Sequence, residues 1–242
     1  MRILTFNTLF KGDVRARLRV LGGLLERSDY DIVCLQEVMF RRSAGLLRRI
    51  APSYRHHVYA GAPLLRGGLV VLSRVPIAAQ RFVRYPVAGH VRGEWLMRKG
   101  FQVVTAGELV VVNTHLSANR DDDWSDGNRY TRVQRVELEF LASRIVRDRP
   151  VVVVGDLNVP RTKPILRDFL AATGLRDVLA GDTRPTYRPT AEFPRPPAFD
   201  HVLVGSGLRA SAELVFQDPV RLAGGRAAFL SDHYGVAAEI EV

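Results

Sequence analysis

The chain has 242 residues, a net charge of +10 and one cysteine, Cys34, which excludes internal disulfides and disfavours a thiolate metal site. No stretch approaches the ~18 apolar residues of a membrane span, and the chain begins on a strand with no apolar signal segment ahead of it, so a cytoplasmic location is expected. A chain this long buries about three quarters of its unfolded surface, and one domain over residues 1–242, acting as a monomer, is expected. The basic residues are nearly all arginine, with Lys11, Lys99 and Lys163 as the lysines. This balance favours anionic partners, although arginines scattered over a solvated surface account for it equally well.

Arg2 to Thr8 reads as a strand with Asn7 where the apolar run stops. Val14 to Leu25 has helical spacing and should pack on a sheet. Asp31 to Glu37 is a second buried strand, and Glu37 at its end suits either a helix start or a metal ligand. Leu46 to Ile50 completes a helix, and Tyr54 to Tyr59 and Gly68 to Ser73 read as strands. Pro76 to Lys99 is irregular and holds His90, Arg92, Trp95 and Arg98. Phe101 to Thr105 and Leu109 to Thr114 form a hairpin turning at Ala106-Gly107, and its second strand runs into His115.

The loop from Asp121 to Asp126 is acidic around one aromatic, Trp124. Asn128 to Arg147 is the best helix, with Val133, Val136, Phe140, Leu141 and Ile145 on one face. The run Val151 to Val154 is β-branched and reads as a strand buried on both faces. Gly155 ends it; Asp156 and Asn158, two apart on extended backbone, should point to one side. An Asx turn leaving a strand is the plainer reading of that segment alone. Pro164 to Ala172 is a helix, and Gly181 to Pro197 a Pro- and Arg-rich loop. Phe199 to Val204 is a strand opening with Asp200, Leu214 to Phe216 is short, and Ser231-Asp232-His233 leads into the last strand.

Strands outnumber helices and fall in two halves, each with its own helices, which fits two packed sheets covered outside by helices. Asn7, Glu37, His115, Asp156, Asn158, Asp200, Asp232 and His233 gather at strand ends. Several carboxylates without cysteine suit a hard ion such as Mg²⁺ or Mn²⁺, and imidazoles beside them supply proton transfer near neutral pH. Phosphoryl chemistry needs this combination.

The blocks Thr5-Phe-Asn-Thr-Leu, Leu35-Gln-Glu, Asn113-Thr-His-Leu, Gly155-Asp-Leu-Asn, Phe199-Asp-His and Ser231-Asp-His occur in this order over nearly the whole chain. In them the chain resembles the endonuclease/exonuclease/phosphatase superfamily. The resemblance implies an α/β four-layer sandwich of the DNase I type, two mostly antiparallel or mixed sheets flanked by helices, and Mg²⁺- or Mn²⁺-dependent phosphodiester hydrolysis. Carried over residue by residue, Glu37 holds the metal with Asn7 and Asp232. Asp156 and Asn158 position or activate water, Asp200 orients His233, and His115 contacts the phosphate or aids the leaving group. Either Asp156 or His233 is the base. His201 departs from the pattern, since many relatives carry Tyr after this Asp.

The segment Arg98-Lys99-Gly-Phe, with Asn113-Thr-His-Leu-Ser, is similar to the neutral sphingomyelinases. On that resemblance Arg98 and Lys99 contact substrate, and a phospholipid head group or other small phosphodiester is expected. Trp124, in the loop that leaves the strand of His115, is expected to contact substrate from its position. A DNA or RNA nuclease is the alternative, and a non-catalytic binding module the more distant one. Four aspartates at 121 to 126 would repel a nucleic-acid backbone, while Trp124 suits a ligand wall or lipid interface; a solvated loop doing neither is equally compatible.

Overall fold

Valine and isoleucine runs build the centre of two β-sheets in a computed structural model that describes residues 1–86, 97–146 and 148–241. The elements run β1 (Arg2–Asn7), α1 (Val14–Arg27), β2 (Ile32–Gln36), α2 (Arg41–Ile50), β3 (His56–Val58), β4 (Val70–Ser73) and β5 (Ala79–Arg84). They continue as β6 (Gly100–Ala106), β7 (Leu109–His115), α3 (Arg129–Ala142), β8 (Val151–Asp156), α4 (Pro164–Thr173) and β9 (Leu175–Asp177). The chain then forms β10 (Asp200–Gly205), β11 (Arg209–Val215), the short pair β12 (Val220–Arg221) and β13 (Ala227–Ala228), and β14 (Gly235–Glu241).

The first sheet has the order β11-β14-β1-β2-β4-β3 and the second β5-β6-β7-β8-β10-β9. Both are mixed: β1–β2 and β7–β8 are parallel, the other pairs antiparallel. The expected four-layer sandwich is therefore present, but the two halves of the chain interleave. The last strand returns to the first sheet and pairs with β1.

Strand alternation explains the layers. Ile3, Cys34, Val71, Val111, Val152, Val154 and Val202 face one another between the sheets. Leu4, Phe6 and Val33 face outward under Leu18, Leu21 and Leu25 of α1 and Leu47 of α2. Val151 and Val153 likewise meet Leu138 and Leu141 of α3 and Ile165 and Phe169 of α4. The valine run of β8 is thus buried on both faces, each side chain contributing about 1.5 kcal/mol.

Several boundaries differ from the sequence reading. The stretch read as irregular contains β5, which pairs with β6; its residues His90, Arg92 and Trp95 lie outside the described residues, as does Arg147. The short strand at Leu214 extends back to Arg209 along β14. Helix α3 stops at Ala142 and buries Thr131, Gln134, Glu137, Leu138 and Leu141. Of the predicted apolar face only Leu141 is fully covered, and Val136 is exposed. The buried stripe is half polar because it anchors loops as well as packing on the sheet.

Among the described residues no helix is long and apolar enough to cross a membrane.

Candidate active site

The second sheet sets three polar side chains in one row. His115 at the end of β7 lies opposite Asp156 at the end of β8, and Asp156 lies opposite Asp200 at the start of β10. Neighbouring strands are about 4.8 Å apart, so residues in register become close neighbours. Gly155 permits this row: a Cβ there would stand 1.9 Å from the Thr114 carbonyl oxygen of β7, and its φ is +143°. No other residue lets β8 run so close to β7 and still present Asp156.

Loops from the first sheet close over the row. Asn7, at the end of β1, donates from Nδ2 to Asp156 Oδ2 at 2.9 Å, tying one sheet to the other. His233 lies just ahead of β14, and its Nδ1 is 2.9 Å from Asp200 Oδ2. Its Nε2 is 3.7 Å from Asp156 Oδ2, and His115 Nε2 is 3.5 Å from the same oxygen. All of these groups are buried. Asp200 and His233 are thus joined by a hydrogen bond.

Burial makes these groups interdependent. It raises Asp156 above the usual carboxylate range, with Asp200 adding to the effect. Burial works against a charged His233, but Asp200 and Asp156 outweigh it and push its proton affinity up. His115 moves the other way, because burial and then the Lys99 ammonium push it well below the ordinary histidine value. Lys99 Nζ stands 3.1 Å from His115 Nε2 and donates to the Leu116 carbonyl at 2.6 Å. A lysine donor facing Nε2 leaves that nitrogen as an acceptor, so His115 is neutral with its proton on Nδ1, which has no hydrogen-bond partner among the described residues.

Asn158 is not beside Asp156 on extended backbone. It turns into the left-handed region at φ 51°, its backbone N–H donates to Asp156 Oδ1 at 2.9 Å, and its Nδ2 donates to the Leu116 carbonyl. The Asx turn is real, and it serves to aim Asp156. Glu37 also sits at positive φ, 61°, ahead of α2 rather than opening it. Its Oε2 accepts from the Phe10 N–H at 2.9 Å. Asp232 Oδ1 accepts from Ser231 Oγ.

Glu37 and Asp232 act electrostatically on the same two groups, Arg17 and Tyr187, and so share one region. Arg17 is buried and donates to the carbonyls of Thr8, Leu9, Lys11 and Leu230, pulling the loop after β1 against the loop before β14. Tyr187 packs edge-on to His233 at 5.0 Å between centroids. Burial and the carboxylates of Asp232 and Glu37 push its hydroxyl up to about 12. Thr186 beside it accepts from the backbone N–H groups of Phe199 and Asp200. Arg17, Thr186 and Tyr187 carry no signal in the sequence, since each is recruited from a loop or helix by tertiary packing.

The acidic loop is wired internally. Asp123 accepts from Ser125 through N–H and Oγ, and Asp126 pairs with Arg135 at 2.5 Å. These contacts blunt the repulsion expected from four free aspartates. Trp124 is half-buried and donates from Nε1 to the Asn158 carbonyl at 3.2 Å, so it borders the site. Arg98 is exposed with φ 50°. His201 belongs to a separate network: Nδ1 meets Asp177 at 2.9 Å and Nε2 the Val159 carbonyl, while Arg161 pairs with the same Asp177 at 2.8 Å. Burial opposes ionisation of Asp177, but His201 and Arg161 outweigh it and hold its carboxyl down to about 2.

The donor set fits a divalent cation. Asp156, Asp200 and His233 offer ligand atoms within 4.8 Å of one another, and Asp200 Oδ1 is buried with no hydrogen-bond partner among the described residues. Oxygen donors without a thiolate suit a hard ion. The Nδ1 of His233 is committed to Asp200, so of that trio the oxygens are the more open donors.

An α/β/β/α sandwich with a polar row across its strand ends is the DNase I-like architecture. The chain belongs to the endonuclease/exonuclease/phosphatase family, whose sequence model matches residues 4–233. It is 25% identical over 272 residues to a Drosophila melanogaster protein named, by inference, a neutral sphingomyelinase, covering 100% of this chain and 61% of that one. It is 28% identical over 177 residues to the inositol phosphosphingolipids phospholipase C of Schizosaccharomyces pombe, covering 66% of this chain and 41% of that one. The chain thus spans less than two thirds of the length of these relatives. In fold it is similar to a Staphylococcus aureus beta toxin variant solved with bound magnesium ions, with a TM-score of 0.75 at 18% identity over 98% of each chain.

Proposed function

We propose that this chain is a Mg²⁺- or Mn²⁺-dependent hydrolase that cleaves the head-group phosphodiester of a phospholipid by attack of water. The observation that carries the reading is the row His115, Asp156 and Asp200 in register across three strands, with His233 bound to Asp200 and facing Asp156. The lipid substrate is supported by the relatives named for cleavage of sphingolipids.

Glu37, with Asn7 and Asp232, would hold the cation, as the family resemblance implies. Asp200 Oδ1, which has no hydrogen-bond partner among the described residues, would be a further oxygen donor from the Asp156, Asp200 and His233 group. When bound, the cation neutralises phosphate oxygens and makes phosphorus more open to attack. Asp200 fixes His233 by accepting from Nδ1–H, so the Nε2–H points into the site. A proton carried there is available to the leaving oxygen. Asp156, aimed by Asn7 and the Asn158 N–H, then accepts the proton of the attacking water. Lys99 brings a positive charge against His115, and the two face the phosphate oxygens from the second sheet. Trp124, held by the Asn158 carbonyl, borders the substrate.

Turnover of a soluble chromogenic phosphodiester should require Mg²⁺ or Mn²⁺ and vanish with a chelator. Sphingomyelin or an inositol phosphosphingolipid in mixed micelles should be cleaved better than plasmid, abasic DNA or RNA. Glu37→Ala should lower turnover at limiting Mg²⁺ by about 10² or more while the fold is kept, because the ion tolerates poor geometry badly. Wild-type turnover in that variant would make Glu37 structural. Faster cleavage of nucleic acid than of any lipid would replace the lipid reading with the nuclease one.

A further inference from the structure

A cavity of about 770 Å³ opens between the loop entering α1 and the loop running from Glu37 into α2. Glu37 forms part of its wall, so it adjoins the candidate active site. The exposed large apolar side chains among the described residues are Phe10, Phe40, Leu64, Val136 and Val146. Phe10 and Phe40 line this cavity, and Leu64 is bridged to Phe40 through the backbone. Three of the five therefore share one rim. Isolated exposed apolar residues are ordinary, but a cluster beside a site is informative.

The charge on the rim is one-sided. Arg15, Arg19, Arg42 and Arg49 line the cavity and are exposed. No ion pair holds any of them among the described residues. Against these four arginines the lining holds two acids: Asp13, which pairs with Arg226, and Glu37, which accepts from the Phe10 N–H on the active-site side. Arg42 lies over the Phe40 ring at 4.8 Å, so charge and apolar surface are interleaved.

We propose that this rim docks the protein on an anionic bilayer, with Phe10, Phe40 and Leu64 entering the headgroup boundary and the four arginines meeting lipid phosphates. Aromatic and aliphatic side chains flanked by arginine are what an interfacial surface requires: the apolar groups bury just below the headgroups while the cations stay at phosphate level. A nucleic-acid backbone would use the arginines but would gain nothing from Leu64. Docking here would bring the strand-end row up to the membrane plane beside Glu37. This inference deepens the lipid-diester reading and rests on it for the choice of a bilayer as partner.

The test is co-sedimentation of the whole chain with phosphatidylcholine vesicles, with and without about a quarter phosphatidylglycerol. Wild type should bind the anionic vesicles more tightly and lose binding as salt rises. Arg42→Gln with Arg49→Gln should weaken that binding by about 25-fold, about fivefold per arginine. Phe40→Ser with Leu64→Ser should weaken it by about tenfold or more. Both double variants should turn over the soluble chromogenic diester as wild type does, which shows that they are folded. Undiminished vesicle binding in the variants, or no binding by wild type, would overturn the proposal. So would a DNA duplex that binds through the same arginines while vesicles do not. Vesicle binding without cleavage of any lipid would leave the docking surface standing and defeat the lipid-diester reading instead.

Discussion

His233 is bracketed by two carboxylates with separate tasks. Asp200 takes Nδ1 at 2.9 Å, while Asp156 faces Nε2 at 3.7 Å. An orienting carboxylate matters only while its imidazole is present, so the two contributions are not independent. Asp200→Asn and His233→Ala are each expected to lower turnover by about 10² to 10⁴, with the double variant little worse than the poorer single one. Losses that multiply in the double variant would show that the residues do not act as a unit. The measurement is kcat on the soluble diester, with circular dichroism to confirm the fold. His201, one residue from Asp200, lies outside this chemistry: both its ring nitrogens face acceptors, Asp177 and the Val159 carbonyl, so it joins strand to loop where a Tyr would reach neither in the same way.

Helix α3 shows how an element can support a site without entering it. Gln134 Nε2 donates to the carbonyls of Ser117 and Asn158 at 2.8 and 2.9 Å, and Glu137 accepts from Ser117 through both N–H and Oγ. These two side chains clamp the loop after β7 and the loop after β8, which carry His115 and Asp156. The N-terminus of the helix is capped by Asn128, whose side chain accepts from Tyr130 and Thr131, and this holds the acidic loop and Trp124 in place. Gln134→Ala should lower turnover by about tenfold, since small displacements of reacting groups are costly. The chain should still fold, with a loss of about 1 kcal/mol per hydrogen bond removed. Wild-type kcat in this variant would reduce the clamp to a packing feature.

At the scale of the molecule, the site straddles the seam between the sheets. Gln36 of β2 donates to Asn113 Oδ1 of β7 at 2.8 Å, and Asn113 Nδ2 donates back to the carbonyls of Leu35 and Val70. Both side chains are fully buried in an otherwise apolar interface. With the Asn7–Asp156 bond they fix how one sheet sits on the other. Asn113→Ala would take from the Gln36 amide one of its three acceptors, leaving Thr5 Oγ1 and the Cys34 carbonyl. It would also remove one donor each from the Leu35 and Val70 carbonyls, at an expected cost of about 1–3 kcal/mol in all. Chemical denaturation checks this, and a loss below about 0.5 kcal/mol would mean that the seam is held by apolar packing alone. Because His115 and Asp156 come from one sheet and Asn7 and His233 from the other, activity should fall in step with this loss of fixed register.

What the sequence determined by itself was local: continuous apolar runs marked the strands, the turn at Ala106-Gly107 marked the hairpin, and polar residues at the ends of those runs marked Asn7, Glu37, His115, Asp156, Asp200 and His233. These signals are legible because apolar runs and their ends are properties of adjacent residues. The six blocks in order extended that reading to a family and its fold. Tertiary structure alone decided the rest. The first sheet is completed by β11 and β14 from the far end of the chain, the polar stripe of α3 turns inward to hold two loops, and Arg17, Gln36, Asn113, Thr186 and Tyr187 become the frame of the site. Each of these depends on partners distant in sequence, and a hydrogen bond across 77 residues, as between Gln36 and Asn113, leaves no periodic trace. It exists because a buried amide must find a partner, and only the packing of one sheet on the other brings that partner within reach.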